Sequence, residues 1–81
     1  MSHTNDPEPR TVPTGTYRHS KTGNLYEVLG TALHTETDEA LVVYRPMYDS
    51  EYELFARPID MFLEQVEQGG ELKPRFEKVD G

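Results

Sequence analysis

Hydrophobic and polar positions alternate through most of this chain, and the alternation changes period only once. Gly15 to Ser20 is short and tyrosine-centred, and predicts a first strand. Lys21-Thr-Gly-Asn24 predicts a turn, because Gly23 and Asn24 both tolerate positive φ. Leu25 to His34 predicts a long strand with Tyr26, Val28, Gly30, Ala32 and His34 on one face. Leu25, Glu27, Leu29, Thr31 and Leu33 lie on the other. Gly30 interrupts that run and suggests a bulge, a bend or a close backbone approach, and a strongly bent strand is what a small barrel needs. Thr35 to Glu39 suits a hairpin loop. Ala40 to Tyr48 suits the returning strand, with Pro46 putting its last part at an edge. Asp49-Ser-Glu51 predicts a turn, and Tyr52 to Arg57 a fourth strand with Tyr52, Leu54 and Ala56 on one side.

The period then shifts. Ile59, Phe62, Leu63 and Val66 fall at i, i+3, i+4, i+7 and predict a short helix. Pro58 suits its first position, Asp60 its positive end, and Gly69-Gly70 its stop. Pro74 to Val79 predicts a closing strand with Phe76 inward. The sum is a mainly β fold: a small SH3-like barrel or roll of four to five antiparallel strands with one short helix. All eight aromatics lie between Tyr17 and Phe76, so a single domain is expected over residues 14–79. Residues 1–13 hold three prolines and little aliphatic surface, which predicts a flexible tail.

Charge narrows the partners. The net charge is −7, and the excess sits in residues 36–67, where nine acids face only Arg45 and Arg57. Such a field repels phosphate backbones, so nucleic acid is a disfavoured partner. No apolar run approaches a membrane span, so no membrane partner is expected. Cysteine is absent, which excludes disulfides and thiolate sites and fits a reducing cytoplasm.

Candidate chemistry is sparse. His19, His34 and Glu36 could hold a metal only if they converged, and the predicted first hairpin keeps His19 far from His34. The serines sit in tail or turn positions without an elbow motif. Neither a metal site, a catalytic set nor a cofactor is therefore expected. Aromatic residues are plentiful, however. Tyr17, His19, Tyr26 and Tyr44, with Arg45 or Arg57 beside them, form a candidate binding surface. Rings would supply rigid apolar area, and an arginine a planar fork for carboxylate or phosphate. The competing reading makes most of these rings core, and His19 a strand histidine bonded to nearby backbone.

Three segments of the chain also carry a family pattern. GTYRHSKTGNLYEVLG, ALHTETDEALVVYRPMYDSEY and FARPIDMFLEQV together resemble the bacterial domain-of-unknown-function family 1653. The pattern lies on Gly15, Tyr17, Arg18 and His19; on Lys21, Gly23 and Asn24; on Tyr26, Val28, Leu29 and Gly30; on His34, Glu36 and Thr37; on Val42 to Arg45; and on Arg57, Pro58, Met61 and Phe62. Thr22 inside the turn and Phe55, where tryptophan is common, depart from it. The resemblance implies an SH3-like barrel from a bacterial cytoplasm and supplies no function. Two readings remain. One is a binding module for a protein, peptide or small anionic ligand, monomeric or weakly self-associating. The other is a small accessory enzyme using His19 as general acid/base.

Overall fold

The computed structural model describes residues 10–79. Seven strands and one helical turn follow in order: β1 (Gly15–His19), β2 (Leu25–Leu33), β3 (Ala40–Pro46), β4 (Phe55–Pro58), α1 (Ile59–Phe62), β5 (Gln65–Gln68), β6 (Glu71–Pro74) and β7 (Phe76–Lys78). Five of them form an antiparallel sheet in the order β4-β3-β2-β1-β7, and β5 and β6 pair separately. The mainly β architecture with one short helix is as the alternation predicts. The large sheet rolls, so that Arg57 on one edge strand lies over Phe76 on the other, 5.5 Å from the ring centroid.

Turn chemistry sets the first hairpins. Gly23 has φ 77°, and its N–H donates to the His19 carbonyl at 2.8 Å. Asp38 has φ 63°, a conformation its short polar side chain tolerates, and its N–H donates to the His34 carbonyl. The expected bulge lies at Leu29: Val28 pairs with Tyr44, but Gly30 pairs with Val43. The slip reverses the faces beyond it. Thr31, opposite the fully buried Val42, takes the inner side, and Ala32 is exposed, contrary to the predicted face of Tyr26, Gly30, Ala32 and His34.

Two further expectations need correction. The fourth strand begins at Phe55, not Tyr52, and Tyr52 and Leu54 are 71% and 51% exposed. Its register, Tyr44 opposite Phe55 and Val42 opposite Arg57, puts Phe55 and Arg57 on the core side and turns Ala56 outward. The helix is a single turn that buries Ile59 and Phe62, and Pro58 caps it rather than entering it. Val66 reaches the interior from β5 instead, while Leu63 is exposed. Gly69 and Gly70, with φ 63° and 83°, do not stop a helix. They close the β5–β6 hairpin, where a two-residue loop of this kind requires positive φ at both central positions.

The core comprises Val12, Tyr17, Tyr26, Val28, Val42, Tyr44, Ile59, Phe62 and Phe76, with Ala40 and Phe55 packed against it. Val12 belongs to the segment expected as a tail. It is buried, and Arg10 just before it pairs with Asp60 at 2.7 Å. The rest of that segment, residues 1–9, lies outside the described residues.

Candidate functional site

Phe76 is the floor of a place where several chemically active groups meet. β7 pairs with β1 so that His19 stands directly opposite Phe76. Phe62 stacks on Phe76 at 4.3 Å with the rings nearly parallel. Tyr26, Tyr44 and His19 approach it edge-on at 5.6, 5.5 and 5.0 Å, in the geometry that ring quadrupoles favour. Arg57 arrives from β4. Its guanidinium lies over Phe76, and its Nε donates to the Tyr44 hydroxyl at 3.2 Å.

The chain has five arginines, and four of them have carboxylate partners: Arg10 with Asp60, Arg18 with Glu77, Arg45 with Glu27 and Arg75 with Glu64. Arg57 has none among the described residues. It is half-buried, and an arginine in that position is desolvated without an ionic partner. Among the described residues its terminal nitrogens make no hydrogen bond or ion pair, which leaves a fork for an incoming anion.

His19 shares the rim. Its Nδ1 accepts the backbone N–H groups of Lys21 at 3.2 Å and Thr22 at 3.4 Å, which places the proton of the neutral ring on Nε2. Burial lowers its pKa below the ordinary 6.5, and the positive charges of Arg75, Arg57 and Lys21 lower it further. Three cations therefore act on one imidazole in a chain of net charge −7. Burial also pushes the Tyr26 hydroxyl up, helped by its 3.2 Å bond to the Tyr48 hydroxyl.

The sequence-derived candidates thus separate. His19 and Arg57 meet at the rim. Tyr17, Tyr26 and Tyr44 are buried, at 6%, 8% and 3% exposure, so they support the site from beneath instead of forming an open surface. Tyr17 donates its hydroxyl to the Pro13 carbonyl at 2.7 Å and packs its ring on Phe62. Arg45 is exposed, holds Glu27 across the strand pair at 2.6 Å, and is not brought to the rim. Phe76, Phe62, Arg75 and Lys21 also take part and were not singled out as site residues. Phe76 was readable as inward from its strand pattern, but no spacing places Arg75 beside His19. His34 accepts the Glu36 N–H at Nδ1, and no group of three metal-ligating side chains gathers among the described residues. No helix among them is long and apolar enough to cross a membrane.

A family model described as "Protein of unknown function (DUF1653)" matches residues 15–78, and the chain belongs to that family. No curated protein matches it. The chain is similar to a protein of the same family from Bordetella bronchiseptica whose crystal structure is solved. The two are 38% identical, with a TM-score of 0.78 over 84% of this chain and 87% of the other.

Proposed function

We propose that this member of the DUF1653 family is a small cytoplasmic recognition module that holds an anionic group, a carboxylate or phosphate, on Arg57. The observation that carries the reading is the guanidinium itself: half-buried over Phe76, fixed by Tyr44, and without a carboxylate partner among the described residues. Lys21 adds positive potential at the same rim, and Arg75 does so in part, since Glu64 holds it. A ligand anion would replace the ionic partner that the other arginines already have, through short charge-assisted hydrogen bonds. A peptide or small molecule could present that anion, and the aromatic floor would set its approach.

Binding is favoured over catalysis by the surroundings of His19. A general acid/base is oriented by a second polar side chain. Among the described residues the His19 ring hydrogen-bonds only backbone N–H groups. The absence of cysteine supports a reducing compartment. The net charge of −7 supports a monomer or weak oligomer that avoids nucleic acid.

The test is a proton–nitrogen NMR titration of the full chain with phosphate and with acetate, at constant ionic strength set by chloride. Saturable shifts at Arg57 Nε, His19 and Phe76 are expected, and Arg57→Gln should abolish them. Arg57→Lys should weaken them, because an ammonium cannot reproduce the fork. Equal shifts in wild type and Arg57→Gln would overturn the reading.

A further inference from the structure

The acidic middle of the chain has a second feature that the Arg57 rim does not explain. The connection from β3 to β4 borders a cleft of about 560 Å³. Leu29, Tyr48, Tyr52 and Leu54 line it, and they are 46%, 43%, 71% and 51% exposed. Leu29 is the bulged residue, so it has no cross-strand partner in the β2–β3 ladder. The Tyr48 ring packs edge-on against Tyr26, and the two hydroxyls are 3.2 Å apart, which anchors one wall to the core. The cleft is therefore a mixed surface, apolar side chains interleaved with polar ones, with its Tyr48 wall held to the core. It shares no lining residue with the Arg57 rim.

Its charge selects the occupant. Asp49 and Glu53 line the cleft, Glu51 lies between them in sequence, and none of the three makes an ion pair among the described residues. Arg45, the cation at this cleft, is already held by Glu27 at 2.6 Å. Apolar side chains thus stand beside uncompensated carboxylates. An anionic lipid surface or a nucleic acid would be repelled, and so would a second copy carrying the same net charge of −7. We infer that this cleft docks a basic segment of a partner protein, one that sets an aliphatic or aromatic side chain beside lysine or arginine. The apolar side chain would cover Leu29, Tyr52 and Leu54. The cation would meet Asp49 and Glu53, with complementary charge steering the encounter.

The experiment is an NMR titration of the full-length labelled protein with three synthetic peptides. One alternates lysine with leucine and tyrosine, the second has glutamate for each lysine, and the third has glycine for each apolar residue. The first should give saturable shifts on Leu29 and on residues 48–54. The other two should bind at least about tenfold more weakly, as expected when charge match or apolar contact is lost. Leu54→Ser and Tyr52→Ala change exposed positions, so the fold should persist while affinity for the first peptide falls about fivefold or more. Equal binding of the lysine and glutamate peptides would overturn the inference. So would an unshifted cleft at millimolar lysine peptide, or sedimentation showing that a second copy already covers these residues.

Discussion

Replacing Phe76 by leucine isolates what the ring cluster contributes, since the volume change is small and the position stays apolar. A volume-conserving core exchange ordinarily costs less than about 1.5 kcal/mol. Here the ring makes one stacked contact, with Phe62 at 4.3 Å, and three edge contacts, with His19, Tyr26 and Tyr44. Aromatic pairs are worth about 0.5–1.5 kcal/mol each beyond buried area, so four taken at the low end give about 2 kcal/mol. Loss of the Arg57 contact adds about 0.5 kcal/mol. The expected cost is therefore about 2–3 kcal/mol, within the roughly 4–12 kcal/mol that a chain of this length can have. Thermal unfolding followed by near-UV circular dichroism should show a midpoint lowered by about 10–20 °C. A double-mutant cycle with Phe62→Leu should return a coupling of about 0.5–1.5 kcal/mol. A midpoint within about 5 °C of wild type, with no coupling, would refute the reasoning: the rings would then be filling volume only. Because Arg57 loses its platform, anion affinity should fall in the same variant.

The fold prefers neutral His19, so the unfolded chain takes up more protons as pH falls below the ordinary 6.5. The stability this group contributes is present above that value and lost as pH falls through its lowered folded pKa, and His19→Gln should flatten that part of a melting-temperature profile. Gly69→Ala puts a Cβ into open space at φ 63°, so its cost is backbone strain alone, about 1–2 kcal/mol by chemical denaturation. Gly30→Ala also meets nothing within 4 Å, but without a positive φ, and should be neutral or stabilising by up to about 1 kcal/mol. A large loss there would contradict the bulge geometry. Thr31 Oγ1 is buried without a hydrogen-bond partner among the described residues, so Thr31→Val should raise stability by about 1 kcal/mol. A lowered melting point would show instead that the hydroxyl is bonded.

Local signals sufficed for the first half of the fold. Strands β1 to β3 carry strand-like patterning up to the bulge, and Gly23 and Asp38 fall at their turns. Gly30 announced a bulge, but the parity beyond it depends on which residue is left unpaired, and that is a property of the ladder. The second half failed for a related reason. Four apolar residues at helical spacing fit one face of a helix, yet Val66 is equally well buried from a strand. A helix of a few residues has little stability of its own, so the paired glycines and the hairpin they close prevail.

The site turns on the same issue of register. Arg45-Pro46 and Arg57-Pro58 are identical pairs in neighbouring strands, and nothing local distinguishes their arginines. Pairing does. Arg45 stands opposite Glu27, and the cross-strand ion pair consumes it. Arg57 stands opposite Val42, whose side chain is fully buried and offers no charge, so its guanidinium must find partners elsewhere. The roll of the sheet supplies Phe76, and β3 supplies the Tyr44 hydroxyl. Neither is an anion. A shift of β4 by one residue would turn Arg57 outward and bring Ala56 to the inner face, where nothing could bind an anion. The candidate site is thus a consequence of one strand register, which only the folded sheet specifies.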